Sequence, residues 1–259
     1  MISIGDAQLQ AWLAAFLWPL ARILGLFMSA PFFSESGIPV TVKILLGALI
    51  TVAIAPTLGP LPVLAIGSWA GLAVLVREVV IGVTLGLVMQ VLFAAVTIAG
   101  ELAGTQMGLG FSTLYDPTSE SSTTSLTAVL TTLAGLVFFA IDGHLALLGA
   151  LAQTFKTLPV ASGGLHAAGL HDLAAYGGVL CLQGTMMALP LTMTLIIVNV
   201  ALGMLSRAAP QLNIFSIGFP ITLGAGVMML SLGLPEWLSS FDHLWEIALD
   251  AIARCASTL

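Results

Sequence analysis

About six long apolar runs, with few charges among them, leave this chain one solvent to fold in. They cover residues 9–30, 40–55, 69–100, 126–151, 173–205 and 214–234, and a helix needs about 20 mostly apolar residues to cross a hydrocarbon layer. Charged residues are 7% of the 259 and hydrophobic ones 59%, against about 25% charged in a soluble domain. A water-soluble globular fold is excluded. The expected class is all-α, an integral membrane protein of kinked hydrophobic helices and helical hairpins, forming a single helical domain over residues 1–259.

Several runs make poor lipid-facing rods. The run 40–55 is short and carries Lys43, and Pro56, Pro60 and Pro62 follow it. The run 173–205 is too long for one straight crossing and contains Pro190, which removes a backbone donor and clashes with the preceding turn. It is expected as two helices with a break. Pro19 and Pro220 repeat the pattern. Broken helices persist at membrane depth where protein or a water-filled cavity satisfies the freed backbone groups. Gly82 and Gly86 are four residues apart, and Gly100, Gly104 and Gly108 continue that interval. Small residues so spaced let helix backbones approach closely, which points to tight packing of many helices.

Residues 106–125, with the sequence MGLGFSTLYDPTSESSTTS from Met107, are polar, glycine-rich and free of basic residues. Set between two apolar runs, this stretch reads either as a connector or as a plug that lines or blocks a route through the bilayer. In the plug reading, which also includes Leu109, Gly108 and Gly110 give freedom, and Phe111, Leu114 and Tyr115 give bulk. Asp116 followed by Pro117 is a helix-start signal, with Glu120 favoured at the positive end of the dipole.

Ionisable groups inside membrane segments are costly and face partners or cavities. Arg22, Lys43 and Arg77 are positive, and Glu78, Glu101 and Asp142 negative, so these embedded charges can compensate one another. Arg77 and Glu78 are adjacent and point in different directions, so each needs a partner elsewhere. Asp142-Gly143-His144 reads as a helix closure, with Gly143 relaxing the backbone, in preference to a proton relay. His166 and His171 lack further ligands, Cys181 and Cys255 have no zinc spacing, and no metal site or cofactor is expected.

HExxH, GxSxG and P-loop motifs are missing, so no enzyme is expected. With six basic residues and a net charge of −6, nucleic acid is not a partner. The acidic N-terminal stretch reads as leading into a retained helix. Residues 235–256 form an amphipathic helix, with Trp237, Phe241, Leu244, Trp245, Ala248 and Ile252 on one face and Glu236, Asp242, Glu246 and Asp250 mostly on the other. Either a partner protein or the membrane surface can take its apolar face.

The segments ARILGLFMSAPFF, IPVTVKILLGALI, AGELAGTQMGLGF with YDP, IDGHLALLGAL and LPLTMTLIIVNVALGMLSRAAPQLNIFSIGFPI resemble, in order, the FliR family of flagellar and injectisome type III secretion proteins. The resemblance implies a non-enzymatic export-gate subunit. With FliP-like, FliQ-like and FlhB-like subunits it would form a helical pore for unfolded flagellar substrates, multi-pass in the bacterial inner membrane at the flagellar basal body. It also implies that residues 108–116 are a loop occluding the closed pore, from Gly108 to Asp116. An injectisome subunit, a secondary transporter using Glu101, Asp142 and His144, and an intramembrane hydrolase are the rival readings; paired repeats of the transporter kind do not align here. With so few basic residues in loops, orientation stays open.

Overall fold

A computed structural model of the chain describes residues 6–35, 37–58, 67–110, 123–160, 167–209 and 214–258. The described residues form helices and no strand: α1 (Asp6–Ser29), α2 (Val40–Ile54) with a short 3-10 turn after it (Ala55–Thr57), α3 (Trp69–Gln106), α4 (Ser125–Ala140), α5 (Gly143–Thr157), α6 (Ala167–Ala208) and α7 (Ile214–Thr258). Among the described residues, four helices are long and apolar enough to cross a membrane, and five if α4 and α5 together count as one span. Helix α2 has 15 residues, about 22 Å at 1.5 Å per residue, too short to cross alone.

One expected helix break is missing and another is present. Helix α6 is continuous from Ala167 to Ala208 with Pro190 inside it, so the expected pair of helices is one. Proline removes a single backbone bond, and a long apolar helix with no competing water keeps the turns on either side. Pro19 lies likewise inside α1, and Pro220 and Pro235 inside α7. The run 126–151, which has no proline, is interrupted where the Asp142-Gly143-His144 closure was expected. Ile141 and Asp142 separate α4 from α5, and Asp142 has φ 55°. Asp is among the few L-residues that tolerate the left-handed region, which stops a helix. The aspartate itself, and not Gly143, makes the turn.

The chain divides into two compact units, one of Met1–Val91, Gly143–Gly177 and Ile247–Leu259, the other of Leu92–Asp142 and Gly178–Glu246. In the first unit, Trp18, Ile23, Leu26 and Phe27 of α1, Ile81 and Leu85 of α3, and Leu151 of α5 are fully buried. Helices α1 and α3 approach so closely that a Cβ on Gly25 would lie 2.6 Å from the Val79 carbonyl oxygen. A Cβ on Gly82 would strike the Arg22 carbonyl, and one on Gly86 the Ser29 hydroxyl. The Ser29 hydroxyl bridges the helices by donating to the Val83 carbonyl, at 3.1 Å. Small residues therefore set this crossing, as close helix contact in lipid requires.

The second unit has an aromatic centre. Phe138 meets Phe93 edge-on at 6.0 Å and Trp245 at 5.2 Å, while Phe241 stacks on Trp237 at 6.2 Å, arrangements that ring quadrupoles favour. Beside it, α6 and α7 leave a cavity of about 600 Å³ lined by Met186, Met187, Pro190, Met229 and His243 among others. The region 235–256 is the C-terminal part of α7. Trp237, Phe241, Leu244 and Trp245 are buried within this unit, and Ala248 and Ile252 within the first. The apolar face expected to dock elsewhere is thus enclosed by the chain itself, while Glu236, Asp242, Glu246 and Asp250 stay exposed.

Candidate functional site

The polar stretch leaves α3 through a fully bonded helix end. Gly108 has φ 83°, its N–H donates to the Thr105 carbonyl, and the Leu109 N–H donates back to Gly104. That paired pattern, with a left-handed glycine just past the helix, is a Schellman cap. The next two carbonyls, which would be orphans, are taken by other helices of the same unit: Asn199 of α6 donates to the Gln106 carbonyl at 3.4 Å, and the Thr222 hydroxyl of α7 donates to the Met107 carbonyl at 3.3 Å. Met107 is 1% exposed and its side chain packs at Gly226, where a Cβ would lie 2.6 Å from the methionine. Gly108 therefore works as a stop, although the sequence suggested a source of freedom.

The chain re-enters described structure at Thr123, and its return to the helix layer is equally fixed. Thr124 is the N-cap of α4: its side chain accepts from the Thr127 N–H, the usual role of threonine there. Glu101, one turn and a half before the end of α3, reaches across to it. One carboxylate oxygen accepts from the Thr124 N–H at 2.9 Å and from the Thr127 hydroxyl at 2.8 Å. The Thr124 and Thr127 hydroxyls are themselves 2.9 Å apart. Gly100 and Gly104 make room for this: a Cβ on Gly100 would lie 2.7 Å from the Thr127 Cα, and one on Gly104 would strike the Thr124 hydroxyl. Of the expected plug, Gly108, Leu109 and Gly110 are described and belong to this base. Phe111, Leu114, Tyr115 and Asp116, with the expected helix start at Asp116-Pro117, lie outside the described residues.

The embedded charges part ways. In the first unit Arg22 and Glu78 are both 0% exposed, and the Arg22 Nε–H donates to Glu78 Oε2 at 2.7 Å. Arg22 also donates to the Thr154 hydroxyl at 3.0 Å and to the Leu158 carbonyl at 2.9 Å, and its guanidinium lies 4.1 Å above the Phe155 ring. One side chain of α1 thus ties α3 to the C-terminal end of α5, where free carbonyls and the negative end of the dipole favour a cation. Its fork of donors suits several acceptors at once. Arg77, also buried, donates to the Pro159 carbonyl at 3.3 Å.

The other three differ. Lys43 is partly exposed and donates to the Glu35 carbonyl at 3.0 Å, Glu101 meets the threonines, and Asp142 is exposed at the helix break. Three of the six expected buried charges are therefore enclosed within the chain. The remaining three sit at helix ends and turns, where backbone groups or solvent serve them. Among the described residues, no cluster of His, Cys, Asp or Glu could hold a metal.

Sequence reasoning missed Thr124, Thr127, Thr154, Asn199 and Thr222. A signal existed for the first two: a threonine directly before an apolar run is an N-cap pattern. The others act on groups distant in sequence, and nothing local marks them.

Residues 13–248 match the model of the bacterial export proteins, family 1. The chain is 44% identical to the flagellar biosynthetic protein FliR of Pectobacterium carotovorum subsp. carotovorum, over 100% of this chain and 99% of that protein. It is 40% identical to FliR of Escherichia coli strain K12 over the same shares, 100% and 99%. It is 26% identical to FliR of Bacillus subtilis strain 168 over 83% of this chain and 84% of the relative. With long membrane-compatible helices and end-to-end likeness to these proteins, the chain belongs to the FliR family of flagellar biosynthetic export proteins.

Proposed function

We propose that this chain is a non-enzymatic subunit of the flagellar type III protein export gate. In the bacterial inner membrane, at the flagellar basal body, it joins FliP-like, FliQ-like and FlhB-like subunits around a channel for unfolded export substrates. The observation that carries this reading is the full-length 44% identity to a FliR. The apolar surface supports the need for partners. In the most apolar 18-residue stretches of α6 and α7 the chain buries only 17% of residues, against 50% and 56% in those of α1 and α3. Large exposed apolar surface marks contact with lipid or protein.

In this reading residues 108–116 are the part that closes the channel, and the bonded base from Glu101 to Gly110 and at Thr124 supports it. A closing segment has to be held at both ends, or it cannot stay over a pore. Phe111 and Tyr115 block more than Ser112 or Thr113 because large rings exclude water where small hydroxyls do not. Relatives of flagellar name favour the flagellar over the injectisome assignment.

The test is replacement. A flagellated bacterium whose own FliR is deleted, expressing this chain, should regain swimming and release of flagellar proteins. Native mass spectrometry of co-expressed subunits should show the chain bound to the FliP-like and FliQ-like proteins. A stable lone monomer that transports a small solute would overturn the assignment.

A further inference from the structure

The two ends of the polar connection are tied by one side chain that has no counter-charge among the described residues. Glu101 forms no salt bridge there; its bonds go to the Thr124 N–H and the Thr127 hydroxyl. Both donors converge on one carboxylate oxygen, and Thr124 and Thr127 are 4% and 2% exposed. Because the Thr127 hydroxyl is spent on Glu101, the Thr124 hydroxyl is the donor in the short contact between the two. It also accepts from the Thr127 N–H. The result is a closed chain of bonds in which a carboxylate from α3 serves the positive end of α4, the favourable sign for a helix N-terminus. A charge-assisted bond to a backbone N–H is about twice as strong as a neutral one.

We propose that Glu101 is the positioning residue of the polar connection: its carboxylate clasps the start of α4 to the last turns of α3 and so sets where the intervening segment begins and ends. This rests on the reading of that segment as the channel closure. It also separates two roles open to Glu101. A proton-relay carboxylate has to exchange a proton, whereas a clasp has only to accept two hydrogen bonds, which an amide oxygen also does, though more weakly.

The experiment uses the complete co-expressed gate with Glu101→Gln, Glu101→Leu and Thr127→Val, beside a gate whose connection is shortened between Gly110 and Thr123. Hydrogen exchange of peptides covering residues 123–130 reports the clasp, and ion conductance of the membrane reports closure. Glu101→Leu should exchange about tenfold faster there than the parent and raise conductance, since two bonds to a charged acceptor are lost. Glu101→Gln, which keeps both acceptor bonds without the charge, should exchange at a rate between the parent and Glu101→Leu and stay near the parent in conductance and export. Thr127→Val, which removes one donor at nearly constant shape, should fall between them, and it carries the test if Glu101→Leu does not assemble.

Parental exchange and conductance in Glu101→Leu, or in Thr127→Val should the leucine variant fail to assemble, would overturn the clasp if the shortened gate leaks. Glu101→Gln behaving like Glu101→Leu would also overturn it, because hydrogen-bond acceptance would then not suffice. A shortened gate that stays tight, with exchange still accelerated in Glu101→Leu, would instead remove the closure reading on which the proposal rests.

Discussion

At the scale of single residues, the fold in lipid depends on a few polar side chains that serve backbone or charged groups without water. Arg22 satisfies a carboxylate, a hydroxyl and a helix-end carbonyl at once. Removing one member of a buried pair leaves the other charge unpaired and costs about 3–5 kcal/mol. Arg22→Met should therefore lower the melting temperature of the detergent-solubilised protein sharply, while Arg22→Met with Glu78→Leu should recover most of the loss. A double variant as unstable as the single one would show that Arg22 acts through Thr154 and Leu158 instead. Gly82→Ala should destabilise by about 1–3 kcal/mol through overpacking, because the Arg22 carbonyl occupies the space of a Cβ. Gly149 and Gly203 meet nothing within 4 Å, and alanine at either should be neutral or slightly stabilising in the same thermal assay.

At the scale of elements, the helix breaks are set by backbone geometry more than by proline. Pro190→Ala should leave export unchanged, since α6 is already one helix through that position; loss of export would show a bend that the assembled gate requires. Asp142→Gly should be tolerated at φ 55°, and Asp142→Ala should cost about 1 kcal/mol in thermal stability. Loss of export in Asp142→Gly at normal stability would restore an acid–base role.

How much of this was legible follows the range of the interactions. The apolar runs gave most helix starts to within a few residues, because length and hydropathy are local properties, while several helices run on past the expected ends. The Gly82 and Gly86 interval marked a real crossing, yet its partner Gly25 carries no pattern of its own. The break at Asp142 was readable from a polar dipeptide within an apolar run, whereas continuity through Pro190 depends on packing that one sequence does not show. Glu101 looked like half of an ion pair because its threonine partners lie 23 and 26 positions on, beyond any helical spacing.

At the scale of the molecule, much apolar surface on α6 and α7 stays open. The most apolar 18-residue stretches of α6 and α7 bury 17% of their residues each, which suits a subunit whose outer surface meets lipid and neighbours. The polar connection emerges from a base closed on both sides, by the cap at Gly108 and by Thr124 held to Glu101. That base gives the closure account its most direct test. In the complete gate, the segment between Gly110 and Thr123 is replaced by a short glycine-serine linker, with Gly108, Leu109 and Thr124 kept so that both helix ends remain bonded. Ion conductance of the membrane is then measured beside the subunit composition. The account predicts a normally assembled gate that conducts small ions where the parent is tight, with Phe111→Ala and Tyr115→Ala leaking more than Ser112→Ala or Thr113→Ala. An assembled, shortened gate as tight as the parent would contradict it and leave the segment a connector.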